Sequence, residues 1–222
     1  ITLSRLQGKE IIVVSSGSVA AGRSSIKSGL RASIAEKQAM AAIGQTQMMA
    51  NWARFFDFPC AQILLTLDDL HDRRRYVNVK NTLRELLANN ALPIVNENDT
   101  VAVDEIKVGD NDNLAAHTAL VAQADTLIIC TDVDGLFDAD PRKKPDAKLI
   151  ANVKFITPQI SALAGGAGTD AGTGGMITKL QAAQKCCESG VHTLLVNGKQ
   201  STLFDFVVQC FCARILIIQS RT

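Results

Sequence analysis

Short apolar runs alternating with longer amphipathic segments constrain this chain more than any other feature. Residues 11–14, 61–66, 93–95, 126–131 and 192–196 read as buried strands, being brief, apolar and bounded by polar or glycine-containing turns. Between them, residues 32–56, 68–90, 114–124 and 175–189 carry apolar positions at helical spacing. Strands separated by helices imply right-handed crossovers, so the predicted class is α/β, a three-layer αβα sandwich with a mostly parallel central sheet. Ligands of such sheets bind beyond the carboxyl ends of the strands. Three polar knots fall at such ends, at residues 15–18, 96–99 and 131–135, and are expected to converge on one cleft.

Composition excludes several other classes. With 222 residues, 47% hydrophobic and 20% charged, the chain can bury a full core as one large domain or two small ones. A formal charge of +1 provides no global field toward nucleic acid or anionic lipid, so any anion must be gripped locally. The six cysteines show no pair of C-x-x-C motifs at zinc spacing, and Cys60 and Cys130 sit inside apolar runs. Reduced, buried thiols in a cytoplasmic protein are expected. The first residue is Ile1 and no signal peptide is visible, so the sequence is read as beginning mid-protein or after processing. Residues 204–218 are apolar but too short for a span and carry Asp205, Gln209 and Arg214, which argues against a transmembrane helix.

Two regions hold residues suited to chemistry. Gly165, Gly166 and Gly168, followed by Gly172, Thr173, Gly174, Gly175, Met176, Ile177, Thr178 and Lys179, lead into a helix. Glycines let backbone N–H groups turn toward one point and the helix end adds positive charge, so an anion is favoured there. The spacing is neither a Walker A motif nor a dinucleotide fingerprint, and a mobile surface loop is the plain alternative. The second region comprises Asn96, Glu97, Asn98 and Asp99, then Gly109, Asp110, Asn111, Asp112 and Asn113. Short amides and carboxylates can hold a small zwitterion, although helix capping would also use them, and Asp112 is placed to cap the helix at 114–124. Asp132 and Asp134 admit a metal-binding D-x-D of a nucleotide-sugar transferase, a nucleotide contact or a turn. His71, His117 and His192 share no ligand spacing and are read as structural, and no Ser-His-Asp logic is visible. No general base stands out. A carboxylate acceptor, already ionised at pH 7, needs none; it needs positive charge to relieve repulsion from phosphates.

The residues Ile12 to Gly22 (IVVSSGSVAAG), Asn96 to Asn113 (NENDTVAVDEIKVGDNDN), Thr131 with Asp132, and Gly172 to Lys179 (GTGGMITK) resemble the glutamate 5-kinases of the amino acid kinase family. The likeness runs from about Gly8 to Gly198 with the motifs in order. It implies the amino acid kinase fold and transfer of the γ-phosphoryl of ATP to the side-chain carboxylate of glutamate, the first step of proline synthesis. On this likeness Ser16, Asp99 and Asn111 match glutamate contacts, with Asp110 near the substrate ammonium. Thr131, Asp132 and residues 173–179 match nucleotide contacts, Lys179 stabilises the transferring phosphoryl group, and Asp112 orients it. Mg2+ is expected with ATP, although no metal ligand is fixed by the residues. A cytoplasmic homo-oligomer, with proline as an inhibitor in many relatives, completes what the likeness implies; no nucleic acid or membrane partner is expected.

The family begins with a strand and loop bearing another catalytic lysine, which would precede Ile1. A fragment without it is expected to lose on the order of a hundredfold or more in turnover. Residues 1–204 are therefore read as a catalytic domain lacking its first strand, and 205–222 as an unassigned apolar tail. An impaired paralogue that binds amino acid and nucleotide as a regulator is the principal rival.

Overall fold

A computed structural model describes residues 1–27, 31–102, 110–164, 175–199 and 215–221. The chain divides into two compact units, Ile1–Lys107 with Arg221–Thr222, and Val108–Ser220. In the first unit, α1 (Thr2–Leu6), β1 (Glu10–Ser16), α2 (Ser18–Gly22), α3 (Ile34–Ala53), β2 (Cys60–Leu65), α4 (Leu67–His71), α5 (Arg73–Ala88) and β3 (Leu92–Glu97) follow in order. The second unit contains α6 (Asp110–Ala122), β4 (Thr126–Thr131), α7 (Pro158–Ala164), α8 (Met176–Glu188), β5 (His192–Asn197) and β6 (Ile215–Arg221).

Both units use parallel strands. In the first, β3 lies between β1 and β2, with Val13 opposite Ile94 and Ile63 opposite Val95. In the second, β4 lies between β5 and β6, with Ile128 opposite both Leu194 and Ile218. Strands buried on both faces read as continuous apolar runs, and Ile11 to Val14, Leu92, Ile94, Val95 and Leu127 to Ile129 are all at most 2% exposed. Helices α3 and α5 cover β2 and β3, and α6 and α8 cover β4.

Local chemistry sets the element boundaries. Ser33 and Glu36 form a capping box that starts α3, and Thr66 and Asp69 form another at α4. The single helix expected at 68–90 is instead two. Asp72 is extended, at φ −76° and ψ 121°, and its carboxylate accepts from the backbone N–H groups of Arg74 and Arg75, capping a new helix. Helices α1, α5, α6 and α8 all hand over to a strand through the same turn. A residue just past each helix is left-handed (Gly8, Asn90, Gln123 and Gly190), and the next N–H reaches back to the helix at Ser4, Leu86, Ala119 and Cys186. Glycine signals two of these turns in the sequence; Asn90 and Gln123, at φ 56° and 54°, do not announce theirs.

Two other expectations change. Helix α6 begins at Asp110 rather than 114, so Asp112 lies within its first turn and is not its cap. Part of the expected tail is strand: β6 pairs with β4 from Leu216 opposite Thr126. Among the described cysteines Cys60, Cys130, Cys186 and Cys187 are free, but only Cys186 is buried and Cys187 is exposed. No described helix is long and apolar enough to cross a membrane.

Candidate active site

In the first unit the carboxyl ends of β1 and β3 supply the polar groups. Ser15 is fully buried; its Oγ accepts from Trp52 Nε1 at 3.1 Å and donates to Met48 Sδ at 3.5 Å. Ser16 follows, half-buried, as the last residue of β1. Gly17 takes φ 116°, a backbone that side chains disfavour, and this turns Ser18 inward. Ser18 Oγ donates to Asp99 Oδ2 at 2.7 Å, joining the first two polar knots. Asp99 is 8% exposed and forms no ion pair among the described residues. Burial raises its pKa above the ordinary carboxylate value, and the Ser18 hydrogen bond only partly opposes that. Asn96, 1% exposed, donates from Nδ2 to Gln45 Oε1 at 2.9 Å.

Two close contacts hold α2 against α3. A Cβ on Gly44 would stand 1.8 Å from the Ser18 carbonyl oxygen, and one on Gly22 would stand 2.0 Å from that of Met40. Only glycine permits this approach, and the approach fixes where Ser18 sits.

The second unit is built on charge. Lys179 Nζ donates to both carboxylate oxygens of Asp112, at 3.1 and 3.0 Å, and the two residues are 4% and 0% exposed. Thr178 Oγ1 adds a 2.7 Å bond to Asp112 Oδ2. Helix α8 thus delivers Thr178 and Lys179 to one carboxylate on α6. Gly175 precedes α8; Met176 is half-buried and Ile177 is 44% exposed. Cys130 is close enough to feel the Lys179 charge, yet burial pushes its thiol up to about 11.

At the end of β4, Thr131 Oγ1 donates to Asp132 Oδ1 at 3.4 Å, and Arg142 pairs with Asp132 Oδ2. Partial burial acts to raise the Asp132 pKa, but its own backbone N–H, Arg142, Thr131 and Lys199 outweigh that and hold it low. Asp134 instead accepts from Asn197 Nδ2 at 2.8 Å, tying the third knot to β5. Among the described residues no group of three His, Cys, Asp or Glu side chains could hold a metal ion. Thr173 and Gly174, with the rest of 165–174, lie outside the described residues, as does the Asp110 side chain. Asn111 is half-buried and its Oδ1 is buried without a partner among the described groups. His117 contacts Lys185 at 3.3 Å, and Lys185 Nζ also donates to Asn113 Oδ1 at 3.2 Å.

Ser15 and Ser18 fall in the expected knot at 15–18 without an individual role, and nothing in the sequence signals Trp52 or Arg142. One signal was available for Gln45: it falls on the apolar stripe of α3 formed by Met40, Ala41, Gly44 and Met48.

The profile of the amino acid kinase family matches residues 1–197. This chain belongs to the amino acid kinase family. Within that family it is 52% identical over 206 residues to glutamate 5-kinase of Idiomarina loihiensis, covering 92% of this chain and 56% of the relative. It is 55% identical over 207 residues to glutamate 5-kinase of Salinibacter ruber, covering 91% and 54%. The chain therefore spans about half the length of these relatives. Among solved structures, an isopentenyl phosphate kinase superposes with a TM-score of 0.58 at 16% identity, covering 96% of this chain and 86% of that one. Uridylate kinase from Archaeoglobus fulgidus gives 0.54 at 17% identity, covering 98% and 87%. These likenesses show the family's three-layer α/β fold with a mostly parallel sheet, as the sequence led us to expect.

Proposed function

We propose that this amino acid kinase family chain is the catalytic part of an ATP-dependent glutamate 5-kinase, making glutamyl 5-phosphate for proline synthesis. The observation that carries the reading is the buried Lys179 and Asp112 pair, with Thr178 bonded to the same carboxylate. A buried ion pair is weak evidence for stability and better explained by use. Identity above 50% to glutamate 5-kinases of two organisms supports the choice of substrate.

In this reading the side-chain carboxylate of glutamate attacks the γ-phosphorus. The bond between that phosphorus and the bridging oxygen breaks, and ADP leaves with the electron pair. The acceptor is ionised at pH 7, so no proton need be removed. Lys179 neutralises charge on the moving phosphoryl group, and Asp112 and Thr178 keep its ammonium in place. Asp99, which has no ion-pair partner among the described residues, receives the substrate ammonium with Asp110 near it, and Ser16 and Asn111 are further substrate contacts. Thr131, Asp132 and residues 173–179 receive the nucleotide.

Magnesium would be carried mainly by the nucleotide phosphates, since this ion keeps several waters and needs only one or two protein carboxylates. It would supply charge neutralisation on the β- and γ-oxygens. The same proposal assigns residues 1–204 to the catalytic domain, a cytoplasmic location, a homo-oligomer and inhibition by proline.

The test is glutamate-dependent ADP formation by the full natural chain containing these residues. Lys179→Ala should lower turnover about a hundredfold or more with little change in glutamate KM. Full turnover in that variant would remove Lys179 from the chemistry.

A further inference from the structure

Gln45 is the polar exception on the buried stripe of α3, and the phosphoryl transfer proposed for the site leaves it without a task. It is 7% exposed. Its Oε1 accepts from Asn96 Nδ2 at 2.9 Å, and Asn96 stands three residues before Asp99. In this arrangement the acceptor end of the carboxamide is taken by Asn96, and the amino end, Nε2, is buried with no hydrogen-bond partner among the described residues. A buried amide with unmade donor bonds is unfavourable, and folded proteins seldom keep one. A ligand that brings an acceptor removes the penalty.

The position narrows the choice of ligand. Gly44, the preceding residue, is the point where α3 presses on the Ser18 carbonyl. Gln45 thus touches the knot after β3 and adjoins the segment after β1, the two segments joined by Ser18 and Asp99. Asp99 supplies negative charge and suits an ammonium. A carboxylate needs donors, and Nε2 is a neutral one.

Resting on the reading of the Ser18 and Asp99 junction as the amino-acid site, we infer that Gln45 is a substrate-binding residue that helps set specificity, donating from Nε2 to a carboxylate oxygen of the amino acid. Gln45→Glu keeps the shape but replaces the donor with an acceptor, and Gln45→Met removes it. In the full natural chain the first should raise glutamate KM by about tenfold or more and the second by about tenfold, with ATP KM within about twofold. The carboxyl introduced by Gln45→Glu becomes a donor again when protonated. Measured against the unaltered protein at each pH, so that protonation of Asp99 acts on both alike, its defect should therefore shrink as pH falls toward about 5, which a packing fault would not do.

Asp99→Asn is the control that separates this inference from the reading beneath it. If Asp99→Asn raises glutamate KM while both Gln45 variants leave it within about twofold, Gln45 is a water-paired structural amide and the inference is overturned. If Asp99→Asn also leaves glutamate KM unchanged, the junction is not the glutamate site and both readings fall. Where a variant turns over too slowly to assay, calorimetric glutamate affinity separates the same outcomes.

Discussion

In the first unit the Asp99 carboxylate is buried beside one neutral donor, Ser18, whereas in the second the Asp112 carboxylate is buried against the Lys179 ammonium and the Thr178 hydroxyl. Both lie near the carboxyl ends of parallel strands and both are nearly inaccessible to water. Among the described residues the first carboxylate has no cation beside it, an arrangement that favours binding a positively charged group. The second is an anion already neutralised, which fixes a lysine instead of binding a ligand. The same carboxylate chemistry thus serves recognition in one unit and positioning in the other, and the neighbours decide which.

Breaking the charged pair should have the largest effect. Beyond its effect on turnover, Lys179→Ala leaves Asp112 buried and uncompensated and should lower unfolding stability by about 3–5 kcal/mol. Adding Asp112→Ala to it should recover much of that loss in a denaturant titration. A double variant as unstable as the sum of the singles would show that the two side chains are not coupled.

The neutral half should break through packing. Gly44→Ala puts a methyl 1.8 Å from the Ser18 carbonyl oxygen, so α2 or α3 must move. A loss of about 1–3 kcal/mol is expected, with a raised glutamate KM because Ser18 loses its place beside Asp99. An unchanged denaturation midpoint would contradict the close approach of these helices.

Asp99 allows a finer test by pH. Its folded pKa is raised by burial, so the native state holds the proton more tightly than the unfolded chain. Stability contributed by the protonated form is present below the ordinary carboxylate pKa and is lost as pH rises through the raised folded value. Above that value the ligand-free protein keeps the penalty. Asp99→Asn should flatten this part of the stability profile, and glutamate should stabilise the native protein most where Asp99 is ionised. The opposite slope would reverse the assignment of Asp99 as an unpaired anion.

The smallest effect is expected at Arg142 and Asp132, a pair with side chains 65% and 57% exposed. Solvent screens such pairs, so Arg142→Gln should change stability by less than about 1 kcal/mol. A larger loss in thermal unfolding would mean that the segment after β4 depends on that contact.

Local sequence carried a good deal of this. The apolar runs marked β1 to β5; β1, β3 and β4 are buried along most of their length and must be apolar nearly throughout, while β2 and β5 are only partly buried. Glycine at Gly8 and Gly190 marks two helix ends, because only a residue without a side chain turns left-handed freely. The break at Asp72 was hidden, because the helical spacing continues across it and only the side-chain bond to Arg74 and Arg75 reveals the new start. Strand β6 was hidden because no recognisable motif surrounds it. Of the site, residues bearing charge or phosphate-binding potential could be named from type and order, while the partners of Ser15, Ser18 and Gln45 could not, since their roles come from neighbours distant in the chain.

What the chain's order of residues determined by itself was the α/β class, five of the strands, some helix ends and the short acids, amides and lysine set at strand ends and helix starts. These follow from hydrophobic periodicity and capping, which act over a few residues. The tertiary structure alone decided the partnerships: Lys179 with Asp112 across 67 residues, Ser18 with Asp99 across 81, and Gln45 with Asn96 across 51. Burial and pairing are properties of position in the folded chain. They decide whether a carboxylate receives a ligand or holds a lysine, and no local pattern contains that choice.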